Sequence, residues 1–395
     1  MKYPEGFEFE VIHTDGDARL GRLTTPHAVI DTPVFMPVGT QGAVKSLTCE
    51  DLEQMGAQIF LVNTYHLYLR PGVDVVEKMG RVHGLTAWPK AILSDSGGYQ
   101  VFSHRDRIKI SDDGVRFQSH FDGSYHDFTP EKVIEIERKL GPDIIMSFDE
   151  CTPYPATREQ ALAGLKRTTD WAKRGMAAFE KLEETGEYPS QLLHGIVQGS
   201  VYEDLRKQSA DELLQLDFPG YSIGGLSVGE PKDEMIKMLD ITVPFLPKDK
   251  QRYLMGVGYP EDILNAVERG IDMFDCVLPT RNARTGLVFT KSGPYNFRNA
   301  SAADDDKPLD PECNCYVCQR YSRAYLRHLY SVSEITAHRL ASYHSVNFFI
   351  EFMRDIRTAI RENRLGKFKE DYFGKYKGSY PNGLISTSKN PDITI

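Results

Sequence analysis

The chain has 395 residues, 41% hydrophobic and 26% charged, with a formal net charge of -9. This is the balance of a folded globular protein, and no apolar run approaches the ~20 residues a membrane-crossing helix requires. The acidic total excludes a surface coated in cations for non-specific phosphate binding, although local basic patches remain open. The opening "MKYPEGFEFE" has no basic segment followed by an apolar core, so a cytoplasmic, reducing location is expected and disulfides are not.

Taken in chain order, the stretch before residue 33 reads as a small antiparallel hairpin. Eight short apolar runs follow, each ending in glycine or polar residues: "PVFMPVGT", "QIFLVNTY", "AILSDSGG", "DIIMSFDE", "LLHGIVQG", "YSIGGLSVG", "RYLMGVGYP" and "DMFDCVLP". Amphipathic segments separate most of them. In "TPEKVIEIERKLG", Thr129 can cap a helix start and Gly141 its end, and residues 157 to 179 form a longer helix candidate. Eight strand-then-helix units predict an α/β fold, a (β/α)8 TIM barrel with the hairpin over its floor. Residues 102 to 128 and about 290 to 350 break the alternation and read as insertions, so one elaborated barrel domain is expected over 1–378. Residues 379–395, rich in Gly, Pro, Ser and Asn, read as a loose tail.

Active sites of such barrels are built where strands end. That singles out Asp95 with Ser96, Gly97, Gly98 and Tyr99; Asp149 and Cys151; Gln198; Gly224 and Gly225; Met255 to Gly258; and Asp275. An aspartate at a strand end can simply cap the next helix. Three around one mouth instead suggest a site, because neighbouring carboxylates push one pKa up and yield an acid and a base from one residue type. The glycines let backbone approach a flat ligand closely or form tight turns. Tyr99 and Met255 can sandwich a ring or serve as ordinary core.

"ECNCYVC" places Cys313, Cys315 and Cys318, half of the six cysteines, within six positions. Three thiolates at that spacing lack one ligand of a tetrahedral zinc site. A protein ligand would make the site closed and structural; water would leave it open. His328, His338 and His344 follow within reach, and spacing does not choose among them. Residues 354–377 hold eight Lys or Arg against four Asp or Glu, either a basic surface or a solvated helix face.

Together "SDSGGYQ", "SFDEC", "VQG", "GGLSVGE", "YLMGVG", "MFDCVLPTRNAR" and "CNCYVC", followed by "ASYHS", resemble in order the signature segments of bacterial tRNA-guanine transglycosylases, over roughly residues 8 to 375. The resemblance implies a zinc-bearing barrel that exchanges the wobble guanine of GUN-anticodon tRNAs (Asp, Asn, His, Tyr) for 7-aminomethyl-7-deazaguanine in queuosine biosynthesis. It implies Asp275 as nucleophile and Asp95 as general acid or base. Ser96, Asp149, Gln198, Gly224 and Gly225 would grip the purine edge, with Gly97 and Gly98 beside them, and Tyr99 and Met255 would stack on its faces. Cys151 and Val228 match the bacterial pair that accompanies the aminomethyl base. Gly256, Val257, Gly258, Tyr259, Pro260, Glu261 and Asp262, with Thr280, Arg281, Asn282, Ala283 and Arg284, match segments that hold the anticodon loop. Cys313, Cys315, Cys318 and His344 would bind one structural Zn2+, and the active form would be a homodimer. Two other readings compete: a non-catalytic tRNA-binding paralogue, expected to lack the nucleophile, and a zinc-dependent nucleobase deaminase or hydrolase, which needs an open metal site.

Overall fold

The computed structural model describes residues 3–103 and 108–376. All eight apolar runs form strands of one parallel sheet: Val34–Pro37, Ile59–Asn63, Ala91–Asp95, Ile144–Met146, Leu192–Val197, Gly220–Ile223, Gln251–Leu254 and Met273–Cys276, referred to here as barrel strands one to eight. Strand eight pairs with strand one, Asp275 opposite Met36. The remaining seam closes where Gly39 N donates to Leu61 O (2.6 Å) beside a Val38–Leu61 parallel bridge. The strands are buried on both faces, and a parallel strand covered by side chains inside and helices outside reads as an unbroken apolar run.

The helices start and stop where their residues dictate. Thr129 accepts from Lys132 N to cap Pro130–Leu140, which ends on Gly141 at φ 70°. Thr157 and Gln160 form a capping box at the start of Arg158–Glu183. The hairpin expected at the N-terminus is a three-stranded antiparallel sheet of Glu8–Asp15, Ala18–Thr24 and Val29–Thr32. Its Phe7, Phe9, Leu23 and Ile30 pack against Leu61, Leu93, Ile144 and Met273 and plug the barrel floor. The insertion after strand three is a second antiparallel sheet, Ile108–Ser111, Gly114–Gln118 and Tyr125–Phe128.

After strand eight the chain forms a hairpin (Leu287–Thr290 and Gly293–Asn296), short helices, and then a 27-residue helix, Ile335–Arg361. That helix runs past position 350 without a break. Phe349 explains the continuity: its ring stacks on Phe35 of strand one (4.6 Å) and meets Phe289 of the hairpin edge-on (4.8 Å). One helix therefore serves both the cysteine-bearing segment and the barrel wall. Among the described cations of the 354–377 stretch, Arg354 pairs with Glu351, Arg364 with Glu362, Lys367 with Asp371 and Lys369 with Glu268, which favours a solvated helix face over an open basic surface. Residues 379–395, the expected tail, lie outside the described residues. No helix among the described residues is long and apolar enough to cross a membrane.

Leu23 is fully buried in the floor plug, so Leu23→Ala is expected to lower stability by about 2–5 kcal/mol through lost burial and a residual cavity. Urea denaturation of both proteins would measure it, and a shift below 0.5 kcal/mol would show that the plug does not support the barrel.

Candidate active site

Strand three delivers Asp95 to the barrel mouth. Its Oδ2 accepts from Asn63 Nδ2 (2.7 Å) and Gln100 Nε2 (3.0 Å), and its Oδ1 from Gly97 N (3.1 Å). Burial, and then the charge of Asp275, push its pKa up to about 7 in spite of those donors. Such a carboxyl can hold or release a proton near neutrality. Asp275, at the end of strand eight, accepts from Tyr253 Oη (2.6 Å) and Gly256 N (2.7 Å) on one oxygen. Burial raises its pKa while these two donors favour the ionised form. The two aspartates thus sit within electrostatic reach, one suited to carry a proton and the other charge.

Asp149 forms a separate unit. Gln198 Nε2 donates to its Oδ2 (2.7 Å), and burial pushes its pKa up to about 6. Gln198 Oε1 is buried without a protein partner, an acceptor left for an incoming donor. A Cβ at Gly98 would stand 2.7 Å from Asp149 O, and one at Gly225 (φ 64°) 2.3 Å from Gln198 Oε1. At these two positions glycine is needed for close packing beside a polar side chain and, at Gly225, for a left-handed backbone. Ser96 is buried and hydrogen-bonds the Asp149 carboxylate. Cys151 lies against Gly225, and burial lifts its thiol to about 12. Val228 N and Ser227 N both donate to the Glu230 carboxylate, at 2.9 Å for Val228.

Tyr99 is 56% exposed, with Cys151, Cys276 and Arg281 as its electrostatic neighbours, and Met255 is half-buried. Of the two segments matched to anticodon-loop binding, Gly256 and Arg281 are exposed; Tyr259, Glu261 and Arg284 are half-buried; Val257, Gly258, Pro260, Asp262, Thr280, Asn282 and Ala283 are buried behind them. Cys276 controls that packing, because a Cβ at Gly258 would come within 2.2 Å of its Cβ.

Sequence reasoning passed over the donors that hold the carboxylates, Asn63, Gln100 and Tyr253. It also passed over Arg206, which is fully buried and donates to the carbonyls of Ser200 (2.7 Å), Val197 (3.2 Å), Gly224 (2.7 Å) and Gly225 (3.1 Å). An arginine in the polar helix Glu203–Leu214 reads as solvated. The available signal was its place beside Leu205 and one turn from Ser209 and Ala210, all buried.

The ligand atoms of Cys313, Cys315, Cys318 and His344 all lie within 4.8 Å of one another. His344 Nδ1 stands 3.3 Å from Cys318 Sγ and 3.7 Å from Cys315 Sγ, and Nε2 donates to Phe289 O (2.8 Å). That outer bond fixes the tautomer and leaves Nδ1 free to ligate. Hydrogen bonds from Cys313 and Cys318 pull the Cys315 thiol down. A Cys3His set fits a closed tetrahedral zinc site. His328 and His338 lie outside it. A second donor group at the barrel floor, His27, His83 and Asp143, does not fit an ion. The two rings stack at 3.8 Å and 15°, so no ion can lie in both ring planes. Although burial opposes it, hydrogen bonds from His27 and His83 hold Asp143 down at about 2.

The model of a family described as "Queuine tRNA-ribosyltransferase" matches residues 15–378. The chain belongs to that family. It is 57% identical over 374 residues to the queuine tRNA-ribosyltransferase of Caldanaerobacter subterraneus subsp. tengcongensis, covering 94% of this chain and 98% of that protein. The protein of the same name from Halothermothrix orenii is 53% identical (93% and 97% covered), and that from Aquifex aeolicus 51% identical (94% and 99% covered). Membership makes the chain an enzyme of the pentosyltransferase class.

His344→Ala is expected to drop bound metal from about one equivalent per chain to near zero and to lower the melting temperature, because metal binding supplies folding energy. Elemental analysis and a thermal scan check this; full metal retention would remove His344 from the ligand set. A raised carboxyl pKa also has a definite sign: the folded state binds more protons than the unfolded state between pH 3.8 and about 7, so stability falls as pH rises through that window. Compared with Asp95→Asn, the wild-type chain should lose stability progressively from pH 4 to pH 7, whatever constant offset the substitution introduces. A pH-independent difference in urea midpoints would refute the raised pKa.

Proposed function

We propose that the chain exchanges the wobble guanine of GUN-anticodon tRNAs (Asp, Asn, His, Tyr) for 7-aminomethyl-7-deazaguanine, a step of queuosine synthesis, by double displacement at Asp275. The observation that carries this reading is the pairing of Asp275, held by Tyr253 and Gly256 in a form suited to carry charge, with Asp95, whose pKa is pushed up to about 7. As the C1′–N9 bond breaks, its electron pair leaves with guanine, and a carboxylate oxygen of Asp275 forms the new bond to C1′. Asp95 gives a proton to the departing base and later takes one from N9 of the incoming base, whose attack on C1′ expels Asp275. Two inversions retain the anomeric configuration.

Several features support the remaining assignments. Asp149, Gln198, Ser96 and the Gly224–Gly225 backbone form a polar wall suited to a purine edge, with Tyr99 and Met255 positioned to cover its faces. Exposed Gly256 and Arg281, with Arg284 behind, suit a splayed anticodon loop, since single-stranded RNA is read by stacking and edge contacts. Cys151 with Val228 favours the aminomethyl base. We assign zinc to the Cys3His set as a structural ion: the histidine occupies the fourth place, leaving no position for the water a deaminase or hydrolase needs. The presence of both Asp275 and Asp95 argues against a non-catalytic paralogue. A homodimer in the cytoplasm completes the proposal; Tyr325, Val332 and Ile335, which follow the cysteine segment, are exposed apolar side chains of the kind a second copy would cover.

Incubation with a GUN-anticodon tRNA and labelled guanine should place label in the tRNA, and Asp275→Asn should reduce incorporation by at least ~10^3-fold, the scale expected when a nucleophile is removed. A denaturation-resistant protein–tRNA band should appear with the wild type and vanish with the variant. Robust exchange by Asp275→Asn would defeat the assignment.

A further inference from the structure

Arg206 is a buried cation that donates to four backbone carbonyls: Ser200 O, Val197 O, Gly224 O and Gly225 O. These belong to the ends of barrel strands five and six, so one guanidinium ties Gln198 and the Gly224–Gly225 turn into a single unit. Burial lowers the Arg206 pKa only to about 10, so it remains charged at neutral pH. The orientation of the bound peptides then follows. A trans peptide points its C=O and N–H in opposite directions. The left-handed φ of 64° at Gly225 brings two successive carbonyls to the same guanidinium. The N–H groups of those two peptides, belonging to Gly225 and Leu226, must therefore point away from Arg206. The first donates to the Cys151 sulfur, inside the wall assigned to the purine, a weak acceptor that a substrate oxygen would displace or share. Among the described residues neither N–H donates to another backbone carbonyl.

We infer that Arg206 is a positioning residue for base recognition: by holding the Gly224 and Gly225 carbonyls it presents the Gly225 and Leu226 N–H groups as paired donors to the 6-oxo oxygen of the guanine-type base. The inference rests on the exchange reaction proposed above. It adds an electrostatic element to that reaction. A fixed positive charge on the carbonyl side polarises both peptides toward the base, and negative charge gathers on the base, including its 6-oxo oxygen, as the glycosidic bond breaks. The donors are set before the base arrives, so no reorganisation is required during the displacement. Lysine cannot reproduce the arrangement, because its ammonium is a single point rather than a planar fork reaching four carbonyls.

The test uses full-length Arg206→Lys and Arg206→Met with labelled guanine and a GUN-anticodon tRNA. In Arg206→Lys the KM for guanine should rise about tenfold and in Arg206→Met further still, as expected when hydrogen bonding to a substrate oxygen is lost. The KM for tRNA and the bound metal should stay within twofold of the wild type. The inhibition constant of 2-aminopurine, which lacks the 6-oxo group, should also stay within twofold. A guanine KM within twofold of wild type in a folded variant would overturn the inference, as would equal weakening of guanine and 2-aminopurine, which would indicate a merely structural role. Should the methionine variant fail to fold, the lysine variant, which keeps charge and bulk, decides the matter. Failure of the wild type to incorporate guanine would instead strike the proposed reaction.

Discussion

The site depends on burying carboxylates at the barrel mouth with neutral donors rather than cations. Asp95, Asp149 and Asp275 are held by Asn63, Gln100, Gln198, Ser96, Tyr253 and backbone N–H groups. A lysine or arginine at hydrogen-bonding distance would keep each charge permanently satisfied and each pKa low. Neutral donors orient the oxygens yet leave their protonation responsive to burial and to one another. Asp95 and Asp275 thereby stand in different environments despite being the same side chain, through the difference in what each accepts.

The rest of the molecule can be read as support for that arrangement. The three-stranded plug packs Phe9, Leu23 and Ile30 against the barrel strands and closes the floor. The cysteine-bearing segment is fastened to the barrel by one side chain contact after another along a single helix: His344 faces the thiols, its outer nitrogen holds Phe289 O, and Phe349 joins Phe289 to Phe35 of strand one. Strand one is the neighbour of strand eight, which carries Asp275. The Cys3His group, the long helix and the strand of Asp275 are consecutive members of one packed series.

Much of this was legible in the residues. Parallel strands covered on both faces must be apolar throughout, so all eight announced themselves, and the Thr129 and Gly141 caps marked helix ends because capping is local chemistry. The third strand of the floor sheet, Val29–Thr32, was missed because four residues carry too little alternation; its pairing with Ala18–Thr24 is what makes it a strand. Arg206 was missed because an arginine in a polar helix reads as solvated, and Asn63 because a polar residue ending an apolar strand reads as a helix cap.

What the sequence by itself determined is the set of elements and the inventory of reactive groups: strand ends bearing Asp95, Asp149 and Asp275, and three thiols in six positions. Only the tertiary structure decided which histidine joins the three thiols, which aspartates feel each other, and which arginine holds the Gly224 and Gly225 carbonyls. Secondary structure and caps arise from residues a few positions apart, whereas protonation and peptide orientation are set by groups that meet only when the barrel closes.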